Sequence, residues 1–241
     1  DAYLTNANLS NANLSNASLN YAVLTGADLT GADLTGAHLT GAHLTNANLS
    51  NANLSNANLT DANLTGVKSG GITGTPSALP TGWVLINGYL IGSGANLSDA
   101  NLSNADLSNA NLKGADFCQS RLEGANLGGA NLFGANLDKS DLRKAILKDT
   151  DLRRAVLEGS DLRGADLRGA QVAEARLFEM DLRESKLLDV SFAGAILRRS
   201  DFTGLDLTEI DFSSADLSRC TMSGAKLCRA NLRNADLTRT D

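Results

Sequence analysis

The stretch NANLSNANLSNANLT, residues 46–60, repeats its spelling every five residues, and that period excludes the ordinary ways of building a core. On an α-helix, a leucine every fifth residue advances about 140° each time and scatters around the cylinder. On a straight strand, successive leucines point to opposite faces. Neither element gives these leucines a common interior, so the chain must turn a corner between one leucine and the next. With i denoting the central leucine, one register runs from Leu4 to Leu64, with Leu at every i and Ala at every i−2. A second runs unbroken from Leu97 to Leu237, where Phe117, Val172, Phe192, Phe202, Phe212 and Met222 replace Leu. In that second register i−2 is Ala in 18 of 29 pentads, with Ser, Thr or Cys in most of the others. Each pentad therefore offers one large and one small inward site. Position i−1 is usually Asn or Asp, i+1 often Ser, Thr or Arg, and i+2 often Asn or Gly. These types face water or turn a corner at positive φ. Aromatic residues make up only 4% of the chain, so the interior must be filled by repetition.

This A(N/D)LXX pattern resembles the pentapeptide-repeat family, and the resemblance covers about 210 of the 241 residues. It implies an all-β fold: a right-handed quadrilateral parallel β-helix, a solenoid with four pentads per coil. Five residues then make one side and one corner of a square. A single coil buries too little to stand alone, so stacking between coils must hold the fold together, as in solenoids generally. The expected organisation is a first β-helix block over 1–65, an insertion over 66–94, and a second block over 95–241 of about seven coils. Neither end carries a recognisable capping helix, so bare β edges are expected there, and such edges invite pairing.

The insertion holds both prolines and the only tryptophan. At 29 residues it is too long for a featureless loop. Within 83–91, WVLI-NG-YLI reads as a β-hairpin with Asn87-Gly88 in a type I′ turn. Trp83, Leu85 and Leu90 share one face of it, and Val84, Ile86, Tyr89 and Ile91 the other. Because both faces are apolar, at least one should pack on the helix. The hairpin acts either as a plug between the two blocks or as a docking appendage.

With four pentads per coil, residues 20 apart stack in columns. One column carries Asp141, Asp161, Asp181 and Asp201 at i−1, beside Arg143, Arg163 and Arg183 at i+1. Stacked aspartates repel, and the arginines offset this. The column is either a surface ion-pair ladder, each pair contributing about 0–1 kcal/mol, or a charged recognition strip. A neighbouring face carries apolar residues where solvent is expected, namely Val156, Phe178 and Ile196, with Arg176 and Arg198 interleaved. An apolar cluster rimmed by arginine is what a partner site looks like, although single apolar residues scattered over a surface are equally common. Phe133 and Leu188 point outward on other faces. Late in the chain, large residues gather at i−2: Met180, Val190, Leu205 and Ile210. A pocket sized for alanine takes these only by moving the wall, and the side carrying Val190 and Ile210 is expected to bulge.

Catalytic and metal chemistry find no foothold in the pattern. His38 and His43 sit five residues apart, on adjacent faces, which rules out a paired metal site. Cys118 and Cys228 are outward at i+1 on opposite faces and Cys220 is inward, so no disulfide or zinc site follows. No nucleophile–base pair or phosphate-binding glycine loop is present, and outward carboxylates on a convex prism lack a cleft. No enzyme activity and no cofactor are expected. Residues 1–65 hold four acids and no Lys or Arg, and residues 96–241 hold 23 acids against 20 bases. With no basic run, direct nucleic-acid binding is not expected, and no stretch of 18 apolar residues spans a membrane. No signal peptide is visible, which favours the cytoplasm. The chain starts without Met and inside a repeat, so a removed leader would allow the thylakoid lumen or periplasm.

The leading function is a non-enzymatic structural or protein-interaction scaffold, with a protein partner or self-association. The resemblance implies the same, since the family is numerous in cyanobacteria and many members lack an assigned activity. It also raises an alternative, a DNA-mimicking binder of DNA gyrase, which demands a continuous anionic surface that the interleaved arginines interrupt. A remote third is ice binding through the Thr5, Thr25, Thr45 and Thr65 column, which lacks a second rank of threonines beside it.

Overall fold

The structure, a computed structural model, describes residues 2–241. It forms two compact units, residues 1–97 and residues 98–241. Both are four-sided parallel β-helices with no α-helix. Residue i−1 of each pentad pairs with the residue 20 further on, as in Asn8↔Asp28↔Asn48 and Asn131↔Asp151↔Gln171. The ladder runs on both sides of each pair: the Leu29 N–H donates to the Asn48 carbonyl at 2.8 Å, and the Asp28 N–H to the Ala7 carbonyl at 2.9 Å. Each corner closes with the next i−2 N–H donating to the carbonyl of i, as Ala27 to Leu24 at 3.0 Å. The third residue of that turn takes a positive φ, 55° at Asn6 and 66° at Gly26, which explains the Asn and Gly at i+2.

The interior follows the pattern residue by residue. Leucines at i from Leu24 to Leu59 and alanines at i−2 from Ala22 to Ala57 are fully buried. In the second unit Leu102, Phe117, Leu152 and Phe212 are equally inaccessible. Phe192 and Phe212 stack at 5.3 Å, and Phe202 meets both edge-on. Most buried hydroxyls at i−2 find a regular partner, although Ser120 and Ser140 Oγ have none among the described residues. Thr150, Ser160, Ser185 and Ser200 each donate to the carbonyl of the i residue 23 positions earlier, at 2.7–2.9 Å.

The lattice of the first unit runs further than the leucine pattern. The sequence breaks register at residue 66, yet Lys68, Thr73 and Ala78 still pair with Asn48, Asn53 and Asn58. Here Val67 and Ile72 fill i−2 while Ser69 and Gly74 stand at i. Large and small inward sites have exchanged places, so a search for leucine at i misses these pentads. The next pairing, Lys68↔Asn96, spans 28 residues instead of 20. The extra length holds the hairpin, β1 (Val84–Ile86) and β2 (Tyr89–Ile91), paired Val84↔Ile91, Leu85↔Leu90 and Ile86↔Tyr89. Asn87 and Gly88 have φ of 50° and 77°, as a two-residue I′ turn requires. Leu90 is fully buried in the core of the first unit, with Trp83 and Leu85 packed against it. Its N–H donates to Ser69 Oγ at 2.9 Å, so the small residue at i admits the hairpin. Trp83 lies over Gly92, where an added Cβ would sit 2.3 Å from the indole.

The bridge series of the second unit is interrupted at one place. Among the described residues between Asn101 and Asp236, the pairing Lys186↔Asp206 is the one missing from the 20-residue series. On the side of Val190 and Ile210, where a bulge is expected, the Ser191↔Asp211 bridge is kept. The ladder hydrogen bonds from Val172 to Ser191 and from Asp211 to Val190 are nevertheless absent there among the described residues, and the preceding side loses its bridge altogether. Leu205, at i−2 on the open side, is 9% exposed, while Val190 and Ile210 are each 3% exposed. All three replace alanine around one corner, and relieving that crowding parts the ladder where Leu205 pushes.

Candidate interaction surface

The face built on Asn136, Val156, Arg176, Ile196 and Asp216 is a single ladder column, each residue bridged to the next. The proposed apolar residues do come together on it, with one correction. Phe178 is half-buried rather than fully outward, as is Val156, and only Ile196 is classed as exposed, at 37%. Phe178 lies beneath Arg199, whose guanidinium carbon is 5.7 Å from the ring centroid. Charged groups frame it: Arg176 reaches Glu158 at 3.2 Å, Arg199 reaches Glu179 at 2.9 Å, and Arg198 pairs with Asp216. Three open depressions meet at Phe178. One of about 500 Å³ lies between Phe178, Ile196, Arg176 and Arg198. Another, of about 510 Å³, lies between Phe178 and Arg198, Arg199, Arg219 and Arg239. The third, of about 260 Å³, reaches toward Lys139 and Glu158. The sequence reading took in Arg176 and Arg198 but missed Arg199, Arg219 and Arg239. These stand at the i+2 corner, whose column reads Arg three times in succession at a position usually given to Gly or Asn.

On the next side the charged column forms a continuous zipper. Arg143 chelates Asp141 through Nε at 2.8 Å and Nη2 at 2.6 Å, and also reaches Glu123 at 3.2 Å and Asp161 at 3.8 Å. Arg163 chelates Asp161, with Nε 2.9 Å from Oδ1, and approaches Asp181 at 3.9 Å. Arg183 chelates Asp181 at 2.6 Å and approaches Asp201 at 3.6 Å. Hydrogen bonds from these arginines hold the Asp141, Asp161 and Asp181 carboxyls below the ordinary 3.8. Every aspartate of the run is thus answered by a guanidinium.

Elsewhere, Phe133 is covered by Lys113, Arg153 and Arg154, each 5.6–5.7 Å from its centroid. Leu188 stands 64% exposed beside the open wall. His38 and His43 are exposed in different columns, and no group of three metal-ligating side chains occurs among the described residues. Cys220 is buried, with its thiol donating to the Leu197 carbonyl at 3.0 Å, whereas Cys118 is half-buried and Cys228 exposed. No helix is long and apolar enough to cross a membrane.

Fold and surface together define each unit as a repeat solenoid that displays side chains in regular columns around an apolar core. The sequence matches the family described as Pentapeptide repeats over residues 1–36, 32–68, 93–124, 110–149, 145–180, 175–213 and 206–241, and the chain belongs to that family. Among solved structures it is similar to HetL, a pentapeptide repeat protein involved in heterocyst differentiation regulation from the cyanobacterium Nostoc sp. strain PCC 7120. The identity is 33% over 94% of this chain and 89% of HetL, with a TM-score of 0.62. A pentapeptide repeat protein from the Arabidopsis thaliana thylakoid lumen is 25% identical over 48% of this chain and 66% of its own, with a TM-score of 0.33. The Nostoc protein alr5209 is 32% identical over 46% of this chain and 78% of its own, with a TM-score of 0.28. No curated protein matches significantly.

Proposed function

We propose that this chain is a non-enzymatic protein-interaction scaffold whose partner, or second copy, docks on the face carrying Val156, Arg176, Phe178, Ile196 and Arg198. The observation that carries this reading is the meeting of three surface depressions on the half-buried Phe178 ring, with Ile196 open beside it. Covering such a ring contributes about 1.5–3 kcal/mol, and the surrounding arginines suit an interface rim. Similarity to HetL, which is involved in heterocyst differentiation regulation, supports a regulatory role. The arginine-paired aspartates of the Asp141–Asp201 column weigh against a DNA-like anionic strip and hence against gyrase as the partner.

Phe178→Ser tests the assignment. The variant should keep the wild-type circular dichroism and unfolding midpoint to within a few degrees, while sedimentation and pull-downs show weakened self-association or partner capture. A folded variant with unchanged association removes the face from consideration, and an unfolded one reassigns Phe178 to the core.

A further inference from the structure

The arginine corner beside Phe178 shows more than rim chemistry. Arg199, Arg219 and Arg239 occupy the same corner in three successive coils, linked by the Arg199 N–H to the Ser218 carbonyl at 3.1 Å and the Arg219 N–H to the Thr238 carbonyl at 2.9 Å. Their φ values are 59°, 63° and 62°, so the three residues take the same backbone conformation at the corner. Arg199 is engaged by Glu179, and Arg198 by Asp216. Arg219 and Arg239 take part in no ion pair among the described residues, although Arg198 and Arg199 beside them do. The acid that lines the same depression, Asp236, turns its Oδ1 to the Thr238 N–H at 2.9 Å and to the Thr238 hydroxyl. In a chain of net charge −6, two arginines of successive coils with no ion pair among the described residues, lining one depression with Phe178, form a local inversion of charge.

We infer that this corner binds an extended acidic protein segment, with an apolar residue seated on Phe178 and Ile196 and carboxylates on Arg219 and Arg239. The inference rests on the reading of this face as a partner surface and adds the chemistry of the partner. Successive coils stand about 4.8 Å apart, and side chains on one edge of an extended peptide repeat at about 6.8 Å, a mismatch that Arg and Glu side chains absorb. The planar guanidinium recognises carboxylate in a two-point contact stronger than a neutral hydrogen bond. A nucleic-acid backbone fits less well: Glu158, Glu179 and Asp236 are interspersed around the Phe178 ring, and they repel an unbroken line of phosphates. A peptide places its acids only over the arginines.

The experiment measures fluorescence anisotropy with a labelled peptide in which a leucine precedes two glutamates at alternate positions. The controls are the same peptide with glutamines and a labelled single-stranded DNA oligonucleotide. The acidic peptide should bind, weaken with added salt, and bind at least several-fold more weakly to Arg219→Gln/Arg239→Gln at an unchanged unfolding midpoint. Absence of peptide binding by the wild type, equal binding of the glutamine peptide, or full binding by the double variant overturns the inference. Tighter, arginine-dependent binding of the oligonucleotide overturns it as well. Self-association or partner capture that is lost in Phe178→Ser and intact in the double arginine variant sustains the interaction face while removing its acidic specificity.

Discussion

The two units share one lattice and clothe it differently. In the first, the i+1 residue is Ser or Thr in nearly every leucine pentad. Where Asn or Asp stands at i−1, the i+1 N–H and usually its hydroxyl donate to that side-chain oxygen, at 3.0 and 2.6 Å for Ser10 on Asn8. In the second, Arg often takes i+1 and keeps the same N–H contact, 3.1 Å from Arg153 to Asp151. It then adds Nε at 2.9 Å and Nη2 at 2.8 Å. The ladder beneath is unchanged: the Leu29 N–H to Asn48 and the Leu132 N–H to Asp151 both measure 2.8 Å. The backbone contact at the corner holds the turn, and what extends beyond it is free to vary. That freedom allows the second unit to carry a charged zipper and an apolar slot on a scaffold that the first unit leaves polar and nearly uncharged. Inward substitutions are different, because the second unit opens its wall where large residues replace alanine.

The sharpest way to break this comparison is to charge the interior of either unit. Leu34→Asp in the first and Leu152→Asp in the second each bury a carboxylate at a site with no accessibility. Each should cost several kcal/mol, read as a lowered urea midpoint. Because coils couple mainly to their neighbours, loss of amide protection should concentrate in the unit that carries the substitution. Asn53→Asp is the outward counterpart, and it is not silent. The Asn53 amide donates to Asp33 at 3.3 Å and Thr35 at 2.9 Å, so a second carboxylate there should cost about 1 kcal/mol or less. Equal losses for the inward and outward substitutions would contradict the division of the pentad.

Cysteine labelling sharpens the same division by rate. Cys228 should react first. Cys118 should follow more slowly, since desolvation and the neighbouring Asp116 raise its thiol above the usual range. Cys220, buried and pushed up to about 11, should react only on unfolding. Native-state labelling followed by mass spectrometry gives the order, and early modification of Cys220 would place it outside the core.

The smallest effect belongs to the zipper. Arg163→Gln removes one exposed chelate and should cost about 0–1 kcal/mol, visible as a slight fall in melting temperature that disappears in high salt. The aspartates have folded values below 3.8. Their contribution is therefore complete above the ordinary carboxylate range and is lost as pH falls through the lower folded values. Acid titration of wild type and Arg163→Gln should converge below that range. A difference that persists there would assign the arginine a packing role instead.

Much of this was legible in the sequence because the signal is periodic. Leu at i and Ala at i−2 fixed the inward sites, the 20-residue column placed Asp141 beside Arg143, and Asn87-Gly88 announced the hairpin. What escaped has a physical cause in each case. The coil through Lys68, Thr73 and Ala78 was hidden because Val67 and Ile72 carry the bulk one site earlier than leucine does. Phe178 read as fully outward because nothing in a pentad reveals that Arg199, in the next coil, folds over it. Arg219 and Arg239 were passed over because the i+2 position is read for its turn chemistry and not for what it displays. The parted wall needed three dimensions, since Val190, Leu205 and Ile210 belong to separate pentads that meet at one corner.

Amide hydrogen exchange at Leu187 tests most directly whether one lattice governs both units, with departures set by the size of the i−2 side chain. In the same column, the Leu167 N–H donates to Lys186 at 2.9 Å and the Leu207 N–H to Lys226 at 2.8 Å. Leu187 has no such bond to Asp206 among the described residues. We expect Leu187 to exchange markedly faster than Leu167 and Leu207, and Leu205→Ala to slow it toward them. A Leu187 amide as protected as its column neighbours, or one that Leu205→Ala leaves unchanged, would contradict the link between inward bulk and the break in the wall.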